Sequence, residues 1–131
     1  MMSVEQQGAI IILDDEEAIT RMVSAYLDEM DIPGDRYRVR TLPEAEEIIT
    51  KIGAVNFKAG FFNLMIQREL SFPMIQRLVT ENPQLTSRIA AFTALDSDHP
   101  DVNACINLGI SVISKLKPET WREKFREVVS S

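Results

Sequence analysis

Two adjacent carboxylates, Asp14 and Asp15, directly follow an unbroken apolar run over residues 9–13, and Glu16 and Glu17 come next. Oxygen donors set side by side suit a hard dication such as Mg²⁺, which takes oxygen ligands and keeps several waters. Three further polar residues each close an apolar stretch. Asn63 follows Phe61-Phe62, Thr93 follows Ala90-Ala91-Phe92, and Lys115 follows Val112-Ile113-Ser114. A threonine hydroxyl can hydrogen-bond a phosphoryl oxygen, and a lysine ammonium can neutralise its charge. Asn63 can donate and accept hydrogen bonds but offers no carboxylate nucleophile.

Each of these residues also has a plainer reading. Acidic residues at a helix start offset the macrodipole and cap free N–H groups, which would account for Asp14 and Asp15. Thr93 can bond the backbone at a strand end, and Lys115 can form a structural salt bridge with Asp14 or Asp15. Asn63 can hydrogen-bond within the same cluster. His99, before Pro100, reads as exposed or as a helix cap, and Cys105 as a packed helical residue. Trp121 fits either the core or a contact surface. Arg36, Arg38 and Arg40 read as solvated charges guarding an edge strand.

The elements that must position these residues alternate in type. Residues 8–13 form a short β-branched run, the pattern of a strand buried on both faces. Ile19, Met22, Val23, Tyr26, Leu27 and Met30 recur at offsets of three and four, one face of an amphipathic helix that Pro33-Gly34 ends. The cycle then repeats. Strands are predicted over 37–40, within 57–65, over 88–92 and over 110–113. Helices are predicted over 43–52, 72–79, 98–108 and 118–129, with Gly53 and Gly109 just past two of them. Such alternation implies a parallel sheet with helices on both faces. Sites in such sheets lie at the C-terminal strand ends, where Asp14, Asp15, Asn63, Thr93, Ala94 and Lys115 fall.

The chain has 131 residues, enough for one domain over 1–131 with a real core. Hydrophobic residues make up 45% and charged residues 26%, which excludes a disordered or fibrous chain. The net charge of −6 argues against direct nucleic-acid binding, since phosphate affinity needs clustered Lys and Arg. The single cysteine allows no internal disulfide and fits a reducing compartment. No apolar run is long enough to span a bilayer, and residues 1–7 lack the pattern of a signal peptide. A cytoplasmic protein without membrane contact is expected. It is either complete in itself or the first part of a larger protein with a separate output domain.

Taken in order, Leu13-Asp14-Asp15-Glu16-Glu17, Asn63, Thr93-Ala94 and Lys115 resemble the response regulator receiver domains of two-component signalling. Thr93 lies thirty residues beyond Asn63 and Lys115 fifty-two beyond it, both typical of that family. The resemblance runs from about Ala9 to about Val129. It implies an α/β, flavodoxin-like (βα)5 three-layer sandwich with a parallel five-stranded sheet in the order 2-1-3-4-5. It also implies a metal pocket at Asp14, Asp15 and Met65, a phosphoryl pocket at Thr93, Ala94 and Lys115, and a phosphoacceptor position at Asn63.

The chain departs from that pattern where the chemistry occurs. Receivers accept a phosphoryl group from a histidine kinase onto an aspartate, and an amide cannot form that aspartyl phosphate. The missing negative charge also weakens any Mg²⁺ site, because a unit-charge pair at about 4 Å is worth roughly 4 kcal/mol at an effective dielectric of 20. Gln67 and Ser71 stand where the family usually has Pro and Gly, and Leu116 follows the lysine in place of Pro. Val112 occupies the switch position, where an aromatic ring would move. The resemblance therefore implies a receiver-like module, not an enzyme, that lacks aspartyl phosphorylation. It would act on a protein partner (a histidine kinase, an output domain or a second copy) through the region from Asp98 to Val129. The alternatives are an Mg²⁺-dependent receiver phosphorylated on another carboxylate, and a haloacid-dehalogenase-type phosphohydrolase. The latter needs Asp-x-Asp, whereas Asp14 and Asp15 are adjacent.

Overall fold

The computed structural model describes residues 8–130. Its main sheet has five parallel strands in the order β2-β1-β3-β6-β7. The strands are β1 (Ala9–Leu13), β2 (Asp35–Val39), β3 (Phe57–Phe62), β6 (Ile89–Thr93) and β7 (Ser111–Ser114). A small antiparallel hairpin, β4 (Met65–Ile66) and β5 (Glu69–Leu70), stands apart from it. With the hairpin left out, the order is the 2-1-3-4-5 expected. The helices are α1 (Glu17–Glu29), α2 (Leu42–Ile52), α3 (Phe72–Glu81), α4 (Pro100–Leu108) and α5 (Trp121–Val129). Among the described residues no helix is long and apolar enough to cross a membrane.

Strand alternation divides the core between the two sheet faces. Ile11 and Leu13 of β1 pack with Ala45 of α2, Ile75 of α3 and Cys105 of α4. Ile10 and Ile12 pack on the other side with Val23 and Leu27 of α1 and Phe125 of α5. All five β1 residues are buried, so the strand tolerates no polar residue until Asp14. Burying one such Ile or Leu contributes about 1.5–3 kcal/mol. Phe61, Phe92, Trp121 and Phe125 form an edge-to-face aromatic cluster on the α1/α5 side. On the opposite sheet face Gly60 leaves room for two other rings: a Cβ there would lie 2.7 Å from the Phe62 ring and 2.9 Å from that of Phe57.

Boundaries differ from the predicted ones for physical reasons. The second strand covers Asp35–Val39 and not 37–40, because Asp35 and Arg36 already pair with Ala9 and Ile10. Helix α4 starts at Pro100 and not at Asp98, since His99 is its N-cap, with Nδ1 accepting the Asp101 N–H at 3.1 Å. Gly109 ends it in a left-handed conformation, φ 93°, which glycine adopts without Cβ strain. The last helix begins at Trp121, because Pro118–Thr120 forms a separate 3-10 turn. Trp121 belongs to the core, and its indole N–H donates to Ser114 O at 2.8 Å.

Candidate functional site

The site residues lie at the C-terminal ends of the strands, held there by the sheet's own hydrogen bonding. Asp14 N–H donates to Val39 O at 3.1 Å and Asn63 N–H to Leu13 O at 2.9 Å. Lys115 N–H donates to Thr93 O at 2.8 Å. Each ladder thus runs one residue past its strand, and Asp14, Asn63 and Lys115 emerge at the same edge.

Asp14 is buried, with 1% of its surface exposed. Its Oδ2 lies 2.6 Å from Lys115 Nζ, and its Oδ1 accepts the Glu16 N–H at 3.0 Å. Burial still holds its carboxyl above the usual range, outweighing the Lys115 hydrogen bond that favours the anion. The Lys115 ammonium also sits 5.6 Å from the centre of the Phe92 ring. Neither aspartate caps α1: its N-cap is Glu16, with no side-chain cap bond. Asp14 instead closes a tight turn before that helix.

Asp15 is half-buried, and its Oδ2 accepts the Gln67 N–H at 3.2 Å. Asn63 Nδ2 donates to Met65 O at 2.9 Å. The partner is a carbonyl, so the amide must present its nitrogen there. Ser71, fully buried, donates its hydroxyl to Asn63 O at 2.6 Å and its N–H to Leu64 O at 2.9 Å. Thr93 is buried, and its Oγ1 accepts the Leu95 N–H at 3.1 Å. Ala94 beside it is exposed. The structure thus pairs Asp14 with Lys115, Asp15 with Gln67 and Asn63 with Met65. Thr93 bonds its own loop, and no bond joins it to the carboxylates.

The donor set does not fit a hard dication. One carboxylate is held by an ammonium and the other by a backbone N–H. The Met65 carbonyl, the third expected ligand, faces an amide N–H donor. Among the described residues no group of three His, Cys, Asp or Glu could hold a metal ion.

Sequence reasoning missed the hairpin that crosses this edge. Gln67 and Arg68 turn it with φ of 50° and 74°. Two consecutive positive φ values mark a type I′ turn, normally built from Asn-Gly, and Gln-Arg gives no such cue. Ser71 and the Gln67 backbone therefore went unrecognised as site components.

Val112, the expected switch residue, is half-buried and lines a groove of about 460 Å³ between α4, β7 and α5. Leu95, Ile106 and Leu116 line it too, with Asp96, Lys117 and Lys124. Ile106 is 54% exposed and Leu116 68%. Cys105 is buried on the inner side of α4, and burial pushes its thiol up to about 11. Of the three arginines on or beside β2, Arg36 secures the α1–β2 connection, donating to Ile32 O, Gly34 O and Asp28.

No family model matches the chain, and no curated protein matches it. Solved structures do. The signal receiver domain of a DNA-binding response regulator from Colwellia psychrerythraea 34H superposes with a TM-score of 0.77 at 15% identity, over 95% of this chain and 100% of that one. A CheY-like receiver domain protein from Methanospirillum hungatei JF-1 gives 0.72 at 20% identity, over 95% and 94%. The NtrC4 receiver domain, solved as a beryllofluoride-activated dimer, gives 0.68 at 23% identity, over 92% and 98%. The chain has the fold of response regulator receiver domains.

Proposed function

We propose that this protein is a signalling module built on the receiver fold that takes up no phosphoryl group and acts by protein–protein contact, not as a catalyst. One observation carries the reading. At the position where a receiver's aspartate would accept phosphoryl, Asn63 presents an amide already bonded to the Met65 carbonyl. Mg²⁺ binds weakly in this reading, because both carboxylates are engaged within the protein. A cytoplasmic setting agrees with the free thiol of Cys105.

The contact surface is the α4–β7–α5 groove, which adds Leu95 and Asp96 to the region from Asp98 to Val129 that the resemblance implies. Its occupant is a second copy of the chain. The NtrC4 neighbour is described as a dimer. The groove itself carries both charge signs, Asp96 against Lys117 and Lys124, around exposed Ile106 and Leu116. A two-fold pairing needs such a self-complementary patch, with each residue on one copy meeting its counterpart set on the other.

Two measurements test this. Intact mass is recorded after incubation with a small-molecule phosphoryl donor and Mg²⁺. Wild type is expected to gain nothing; a gain of one phosphoryl mass would make another carboxylate the acceptor and overturn the reading. Sedimentation over a concentration series then tests the surface. Wild type is expected to dimerise, Ile106→Asp and Leu116→Asp to stay monomeric, and Val55→Asp, at a 91% exposed site elsewhere, to behave as wild type. A monomer at every concentration would overturn self-pairing and leave a kinase or an output domain as the occupant.

A further inference from the structure

We infer that Asn63 is a latch: its amide nitrogen takes the place of a cation, holding the Met65 carbonyl and so closing the β4–β5 hairpin over the ends of β1 and β3. This rests on the reading of a site that works without a metal ion, and it adds a positive role for the amide.

The hairpin has little else to hold it. Its strands are two residues each, far below what stands alone in water. Of residues 65–70 only Ile66 is buried; Met65 and Leu70 are each 40% exposed. Its turn places two non-glycine residues, Gln67 and Arg68, at positive φ, a conformation that persists only when surroundings enforce it. With so little apolar burial, polar bonds must do the enforcing: beside the backbone bond from Ser71 N–H to Leu64 O at the base, three bonds made by side chains converge. Asn63 Nδ2 holds Met65 O at the start, Asp15 Oδ2 holds the Gln67 N–H at the tip, and Ser71 Oγ holds Asn63 O at the exit. The first runs through the Asn63 side chain, whereas the third reaches its backbone carbonyl, which any residue would offer.

The residue type at 63 decides how the loop closes. An aspartate there would aim a carboxylate oxygen at the Met65 carbonyl oxygen and add a third negative charge beside Asp14 and Asp15. Both contacts repel, and a cation between them would be needed to reverse the sign. The amide supplies an N–H in that gap without adding net charge. The same backbone is thus closed by an amide alone, or by a carboxylate together with an ion.

The test is hydrogen–deuterium exchange of residues 64–71 in the full chain, for wild type, Asn63→Asp and Asn63→Ala, each with and without millimolar Mg²⁺. Wild type is expected to exchange at one rate in both conditions. Asn63→Asp is expected to exchange about fivefold faster or more without the ion and to return toward wild type with it. Asn63→Ala is expected to exchange faster in both, while β1 and β3 stay protected, showing that the variant is folded. Equal hairpin exchange in wild type and Asn63→Ala overturns the latch. Slower exchange of wild type in Mg²⁺, or an Asn63→Asp hairpin that Mg²⁺ leaves open, overturns the equivalence of amide and ion. No phosphoryl donor enters this experiment, and its readout is local to the hairpin. Its failure is therefore separate from failure of the phosphorylation or dimerisation tests.

Discussion

Lys115 Nζ lies 2.6 Å from Asp14 Oδ2, although β3 and β6 stand between their strands in the sheet. The ammonium reaches back over the sheet edge and is largely buried in doing so, its side chain only 12% exposed. A buried carboxylate left without this partner would keep its desolvation cost and lose the compensating charge.

Replacing Lys115 by Met should therefore cost about 3 kcal/mol, read as a fall in the urea midpoint. The double variant Asp14→Asn with Lys115→Met should lose less than the sum of the two single changes, because neither leaves the other's charge stranded. A loss below about 1 kcal/mol for Lys115→Met would mean that solvent reaches the carboxylate.

The raised carboxyl of Asp14 sets a direction for pH dependence. Between its ordinary value of 3.8 and the higher folded value, the native state holds more protons than the unfolded chain. Its contribution to stability therefore declines as pH rises through that window and is constant above it. Asp14→Asn should remove that component, so the difference in urea midpoint between the two proteins should vary with pH there and flatten near neutrality. A difference that rises with pH would mean the carboxyl is lowered, not raised.

The hairpin turn is under strain that glycine and asparagine relieve. Gln67→Asn with Arg68→Gly should stabilise the protein by about 0.5–1 kcal/mol, because both residues accept positive φ at low cost. The bond from residue 67 N–H to Asp15 uses backbone only and should survive. A thermal midpoint below wild type would show that the native side chains contribute more than the strain costs.

Cys105 should be inert in the folded protein. It is fully buried, and its thiol is held up near 11, so little thiolate forms at neutral pH. Alkylation at pH 8 should be negligible without denaturant and complete in urea. Rapid labelling of the native protein would mean that α4 opens readily.

How far the sequence carries depends on the kind of constraint. The run over residues 9–13 gives β1 plainly, since a strand covered on both faces can hold only apolar side chains. The other four strands of the main sheet and all five helices are visible in outline from the spacing of their apolar residues. Strand β2 starts two residues earlier and ends one earlier than expected because its partner β1, not its own half-polar side chains, sets its register. The convergence of Asp14, Asn63 and Lys115 at one edge follows from the strand order. Their partners do not. That Lys115 meets Asp14 and not Asp15 depends on which carboxylate the turn at Glu16 directs inward. The hairpin is absent from the pattern altogether, because hydrogen bonds from neighbouring segments, and not its own turn residues, hold it.

The aromatic cluster gives the molecule an optical window on its own site. Trp121 is the only tryptophan, it is packed edge-on against Phe92 at 5.3 Å, and its indole is tied to the carbonyl of Ser114, the residue before Lys115. The Lys115 ammonium faces that same Phe92 ring. Emission from the native protein should thus be shifted to the blue by burial. It should change in intensity when Lys115 leaves Asp14, so that one wavelength, with no label attached, follows the state of the strand-end charges in real time.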